Sequence, residues 1–431
     1  MQPDGYLAAY DALVQADPAA AQARLAGWLR TEWRELFAEL RADRPVLAAP
    51  AFTLVTRHAD VAEVLSRPDA FPVSAYRPAM ESALGAPIML TRDGTPMNWR
   101  EKGLMQVMLA PEDVPAVRAL AGELADAALD AAGGELDAVG ALFRGVPLKV
   151  CARYFGFPGP DEPTLSRWSR AVMTDVTANF AGDPGVRAAS VAAGAEMMAH
   201  LRGLVADRRA AGDGTDVLGR LVRTRLPAEL GFDDERLAIN VAGLLLGFVE
   251  NAAGSMTNVV SLLLGQPELH AAARAAAGDP GRFDGHVWEA LRFDPFLKMI
   301  VRYCARDHVL PSGETVRAGG LVLAAVASAM FDDDAVEDPA AFRPDRAEDA
   351  WMHFGHGPHT CLGVHPARVV IAETVRRVVL RPGLRAGGDV RRDRDVFPDS
   401  FPLRFDAPAR LDPPAHLDAP AHLDAPAREG A

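Results

Sequence analysis

The stretch Phe354-Gly355-His356-Gly357-Pro358-His359-Thr360-Cys361-Leu362-Gly363 constrains this chain more than any other. It sets one cysteine in a turn with three glycines, directly ahead of a segment with Ile371, Val375 and Val378 at i, i+4 and i+7. That spacing predicts an amphipathic helix. Gly355, Gly357 and Gly363 allow backbone angles and close approaches that a side chain would forbid. A helix N-terminus behind the turn would aim partial positive charge at the sulfur. A thiolate ligand needs such electropositive surroundings. A lone cysteine in such a loop can equally be a buried structural residue, so the decision rests on what accompanies it.

The ten residues match, at every fixed position, the haem signature Phe-Gly-x-Gly-x-His/Arg-x-Cys-x-Gly, and the chain thereby resembles the cytochrome P450 family. A second motif lies upstream: Glu289 and Arg292 are three apart on one helix face, and the helix ends before Pro295. The resemblance implies that these two pair with Arg346 in a buried structural ion cluster bracing the cysteine loop. It further implies haem b, with Cys361 as the iron ligand, inside a loop bounded by Phe354, Gly355 and Gly363. Thiolate ligation favours O–O cleavage. The propionates would meet His359, Arg302 and, less orthodoxly, Lys102. The family often carries His-x-x-x-Arg there, whereas this chain has Asn98 and Lys102, with Trp99 and Arg100 beside them.

The family's oxygen-activation helix usually reads Ala/Gly-Gly-x-Asp/Glu-Thr, and here two registers compete. Gly247-Phe248-Val249-Glu250-Asn251 keeps the acid but replaces the threonine. Gly254-Ser255-Met256-Thr257 keeps the threonine but has methionine for the acid. The family spacing of about sixteen residues to the next Ser/His-Pro-Glu favours Asn251, which precedes Pro267 by sixteen positions, over Thr257 at ten. Glu250 and Asn251 are therefore the candidate catalytic pair. Glu250 is either a proton-delivery acid with raised pKa or a filler of a helix kink. Asn251 can hydrogen-bond a ligand or water but does not relay a proton as a hydroxyl does. Tyr76, Met80, Ile88, Met89, Phe248, Leu297, Lys298, Met299 and Phe397 are expected to line a mostly apolar pocket. Lys298 and Arg77 are candidates to hold an anionic group.

The resemblance implies a mainly α, single-domain fold with small β-sheets, the haem lying between the long central helix and the helix after the cysteine loop. The expected division is a helical lead-in over 1–44, a catalytic domain over 45–405 and a tail over 406–431. Helices are expected over 18–43 and through most of 99–280, with an irregular loop over 72–98. Strands are expected at 45–47, 52–56 and 300–326, and a hairpin at 396–405. The tail repeats a six-residue Leu-Asp-x-Pro-Ala-x unit, too rich in proline to bury a core. His416 and His422 within it could suggest metal capture, but a solvated tail is the simpler reading.

The net charge of −13 argues against non-specific nucleic-acid binding. Three scattered cysteines exclude a disulfide framework and suit a reducing cytoplasm. No signal peptide is visible, and the apolar run from Leu237 to Val249 reads as too short for a bilayer.

By resemblance the default reaction is monooxygenation of a small apolar or aromatic molecule in bacterial secondary metabolism. The enzyme would be a cytoplasmic monomer fed by ferredoxin and ferredoxin reductase, with no membrane or nucleic acid involved. Two alternatives stay open. One is haem-thiolate chemistry without dioxygen, driven by peroxide or by an N–O substrate in nitrene-type C–N bond formation. The other is a non-catalytic, haem-bearing docking protein.

Overall fold

The computed structural model describes residues 5–407 apart from 180–181, 213 and 394–395. The repeat tail from 408 onward, with His416 and His422, lies outside the described residues.

A helix over Asp234–Gly265 forms the axis of the molecule, with 22 of its 32 residues buried. Asp233 starts it, its carboxylate accepting the Arg236 N–H. By length and composition this helix could cross a membrane, which corrects the estimate from Leu237–Val249 alone. However, 89% of its most apolar window is buried inside the protein. Around it pack the helices Val114–Ala131, Glu162–Thr177, Pro184–Ala211, Pro280–Phe293 and Val364–Leu380, and their apolar faces make one continuous core. The expected breaks at 156–163, 182–185, 212–215 and 231–233 each lie at a junction between helices, the first two running into the starts of Glu162–Thr177 and Pro184–Ala211.

Strands occupy the other side. A four-stranded sheet runs in the order Val46–Ala48, Phe52–Val55, Leu321–Ala324, Ile300–Tyr303. Phe52–Val55 is parallel to Leu321–Ala324, and the outer pairs are antiparallel. The N-terminal helices Tyr6–Ala16, Pro18–Thr31 and Trp33–Asp43 lay Tyr6, Trp28, Trp33 and Phe37 against this sheet, together with Leu54 and Val301. Helix in the lead-in thus begins at Tyr6, ahead of the expected 18–43.

Two expectations fail for physical reasons. The stretch 72–98 contains a helix, Arg77–Leu84, that buries Ala79, Met80, Ala83 and Leu84 on one face. Pro78 and Gly85 look like breakers but are its start and stop: proline stands in the first turn, and Gly85 takes a left-handed cap at φ 72°. The hairpin over 396–405 does not form. Phe397–Ser400 pairs with Arg391–Asp393, and Pro402–Arg404 lies between Glu135–Asp137 and Arg385–Ala386. The strand Glu135–Asp137, inside a region read as helical, supplies that partner.

Candidate active site

The cysteine turn is held by its own backbone. Cys361 N–H donates to the Phe354 carbonyl at 2.8 Å, closing the loop at its two ends. Gly355 and Gly357 adopt φ of 76° and 71°. A Cβ on Gly357 would stand 2.9 Å from the Leu65 carbonyl oxygen, so glycine is required there by both angle and space. Gly363 caps the helix Val364–Leu380 two residues beyond the cysteine. Burial pushes the Cys361 thiol up, against the opposing pull of the Gly363 N–H and the Lys102 charge. A coordinated metal reverses that balance, because a ligating thiol is deprotonated outright.

The Glu289 cluster has the expected geometry. Arg292 clasps Glu289 through two bonds of 2.7 and 3.0 Å, both side chains fully buried. Arg346 adds a third at 3.0 Å, and the Arg343 backbone N–H a fourth at 2.9 Å. Trp351 Nε1 also points at this carboxylate from 3.5 Å. Burial would raise the Glu289 pKa, but these donors outweigh it and hold the carboxyl below its ordinary value. Remaining Arg292 donors reach the Met330 and Ala341 carbonyls, so the cluster ties the helix Pro280–Phe293 to the segment that leads into the cysteine turn.

On the central helix, exposure recurs at Gly247, Asn251 and Ser255, one line at i, i+4, i+8 on an otherwise buried surface between 237 and 260. A Cβ on Gly247 would meet nothing within 4 Å. Asn251 Nδ2 donates to the Gly247 carbonyl at 2.8 Å, while its Oδ1 is buried without a partner among the described residues. The competing register has no such access. Thr257 is fully buried, its hydroxyl donating to the Ala253 carbonyl at 2.7 Å. Gly254 is filled by Phe296, whose ring would lie 2.2 Å from a Cβ.

Glu250 has a third role that the sequence did not suggest. It is completely buried beside the open line, and Arg144 grips it at 2.9 and 3.2 Å. Arg170 adds a bond at 3.0 Å and reaches on to Asp399 at 2.6 Å. The carboxylate thus joins three separate elements. Arg144 and Arg170 were invisible in the sequence, because nothing local marks partners 106 and 80 residues away.

Phe248 turns into the core against Phe155, ring centroids 5.2 Å apart, so it does not face a pocket. Met80, Ile88 and Met89 are likewise core residues, and Ile88 packs against Gly243. Phe397 is buried between Phe296 and the Arg170 guanidinium. Of the expected lining only Leu297 is clearly exposed. Met299 packs with the N-terminal layer. Lys298 lies 4.0 Å from Asp294 and over the Trp33 ring, and Arg77 lies 3.9 Å from Glu81. Each thus has a carboxylate at the edge of ion-pair range.

The expected propionate cations differ in state. Arg302 is buried and donates to the Val301 carbonyl at 2.9 Å. His359 Nε2 pairs with Asp93 at 2.8 Å. Lys102 donates to the Pro358 carbonyl, Asn98 donates to the Met89 carbonyl at 3.0 Å, and Trp99 and Arg100 face solvent. Asp93 was not anticipated, since an acid in a Gly/Pro-rich loop carries no signal of its own.

These residues suit haem. A soft sulfur ligand stands in a strained glycine turn, a line without bulky side chains runs along the central helix, and a buried arginine keeps unused donors. The comparisons agree. The Cytochrome P450 family model matches residues 283–381. Nocardicin C N-oxygenase of Nocardia uniformis subsp. tsuyamanensis is 31% identical over 81% of this chain and 88% of its own length. Erythromycin C-12 hydroxylase of Saccharopolyspora erythraea is 29% identical over 76% and 81%. The crystal structure of CalO2, 24% identical, superposes with a TM-score of 0.76 over 89% of this chain and 98% of that one, and so shares the fold. The chain therefore belongs to the cytochrome P450 family and is a haem-dependent oxidoreductase.

Proposed function

We propose that this protein is a haem-thiolate monooxygenase that hydroxylates or epoxidises a small apolar or aromatic molecule in bacterial secondary metabolism. Electrons would arrive from a separate ferredoxin and its reductase, in the cytoplasm. The observation that carries the reading is the glycine-bound Cys361 turn together with one open line on a buried central helix. A relative that is a hydroxylase and another that is an N-oxygenase support the same chemistry. Residues 45–405 would form the catalytic domain, 1–44 a layer packed on it, and 406–431 an appended tail.

In this reading Cys361 binds the iron as thiolate. The Gly363 N–H, the helix N-terminus behind it and the Lys102 charge stabilise the sulfur's negative charge. The Glu289–Arg292–Arg346 cluster would keep the turn in place, and Arg302 would take a propionate, His359 being held by Asp93. Bound haem supplies dioxygen activation. On the far side Asn251 differs from the usual threonine. One of its amide protons is committed to the Gly247 carbonyl, so its Oδ1 offers an acceptor to a water or a substrate hydroxyl. That donor, rather than Asn251 itself, would carry the proton. Gly247 leaves room for it.

Product analysis with electron donors and dioxygen, with peroxide alone, and with neither tests the reaction. Substrate-dependent oxygen uptake matched to an oxygenated product is expected; turnover with peroxide but none with electron donors and dioxygen, or product formed from an N–O substrate without either, would refute monooxygenation. Cys361→Ala should abolish the red-shifted absorbance band of the reduced CO complex, and its persistence would overturn the ligand assignment.

A further inference from the structure

Two of the three cations expected for the propionates are already engaged. Asp93 takes His359 through one carboxylate oxygen at 2.8 Å, and its other oxygen accepts the Val73 N–H at 3.0 Å. The Lys102 ammonium is turned to the Pro358 carbonyl. That leaves Arg302, whose only protein acceptor among the described residues is the Val301 carbonyl. Its other N–H groups are uncommitted.

Tyr76 stands beside it. Its hydroxyl oxygen accepts the Val301 N–H at 3.0 Å, and the Arg302 guanidinium reaches back to the carbonyl of the same Val301. Because the oxygen is used as an acceptor, the hydroxyl proton is free to point elsewhere, and it has no acceptor among the described residues. Burial pushes the phenol above its ordinary value, so it stays a protonated donor at neutral pH. Its placement is also rigid. Tyr76 ends the short turn Val73–Tyr76, and that turn is fastened at its start by Asp93 and at its end by Val301.

We propose that Tyr76 is a haem-anchoring residue, its hydroxyl donating to the same propionate that Arg302 binds, and is not a wall of the substrate pocket. A neutral donor suits this place. It adds a charge-assisted hydrogen bond to the carboxylate without further desolvated positive charge next to a buried guanidinium. The inference rests on Arg302 meeting a propionate, and the test separates the two claims.

The purified holoenzyme is mixed with excess apomyoglobin and the rate of haem transfer is followed, with the propionate-bending band recorded by resonance Raman spectroscopy. Tyr76→Phe should accelerate transfer roughly ten- to hundredfold, the loss of one hydrogen bond to a charged acceptor, and should shift the band. Arg302→Lys should also accelerate transfer. Phenylalanine leaves the Val301 N–H without its acceptor in any case, so the band is decisive, because a purely structural role would not move it. An unmoved band in Tyr76→Phe, with faster transfer from Arg302→Lys, overturns the role of Tyr76. Unchanged transfer and band in both variants overturns the propionate reading of Arg302 as well.

Discussion

Replacing His353 with phenylalanine should make the folded protein markedly less sensitive to mild acid. His353 lies one residue before the cysteine turn, its ring stacked on Trp351 at 6.2 Å and tilted against Trp288 at 6.3 Å. Neither ring nitrogen has a partner in hydrogen-bond geometry among the described residues. Burial pulls its pKa from 6.5 to about 3, and a contact to the Trp288 backbone and the charge of Glu289 offset only part of this. Below pH 6.5 the unfolded chain therefore binds a proton that the folded protein refuses. Stability rises with pH across this window and is lost as pH falls, by about 1.4 kcal/mol per pH unit. The full penalty approaches about 4 to 5 kcal/mol near pH 3, and by pH 5 it is already about 2 kcal/mol, a large fraction of ordinary stability. Phenylalanine keeps the aromatic stack and removes both the titration and two unsatisfied nitrogens. At neutral pH the variant should be as stable as the parent or more so. Urea melts of both proteins between about pH 7 and about pH 5 would show the difference in unfolding free energy widening as the pH falls. Parallel pH profiles would refute the reasoning, because they would mean that the folded protein protonates His353 as readily as the unfolded chain does.

Two further outcomes follow from the central helix. Glu250→Gln leaves Arg144 and Arg170 facing an amide. Because Arg170 keeps Asp399, the cost should fall at the lower end for a broken buried pair, about 3 kcal/mol in a thermal or urea melt. A stable Glu250→Gln protein that consumes oxygen without forming product would instead make Glu250 a proton-delivery group. Gly254→Ala drives a methyl into the Phe296 ring and should cost about 1–3 kcal/mol, read as a lower Tm; an unchanged Tm would mean that this packing has slack.

What the sequence made legible was local. The cysteine turn and the Glu289–Arg292 pair are set by neighbours a few positions apart, so a match to a family pattern could report them. Arg346 could be placed because the family pattern supplies the third member. The errors are of two kinds. Pro78 and Gly85 were read as breakers when they bound a helix, because such residues mark ends without saying which side is ordered. Phe248 and Met80 were read as pocket wall because apolar side chains serve cores and pockets alike, and only the packed structure tells which face meets Phe155 and which meets space. The partners of Glu250 and His359 are long-range, and no periodicity reaches them. For the same reason the strand Pro402–Arg404 found its partner at Glu135–Asp137 rather than next door.

The open line on the central helix has a consequence for how such a protein can change its chemistry. Its three members, Gly247, Asn251 and Ser255, recur once per turn with buried residues between them. Variation at the intervening positions is felt first as misfolding, so the helix can be retuned through three letters of its sequence while its scaffold stays constant. A library confined to those three sites samples nearly everything this helix can say to a bound molecule. If Asn251 stands where the family carries its threonine, as proposed above, that departure is a single-letter change of reaction conditions, written on an unchanged frame.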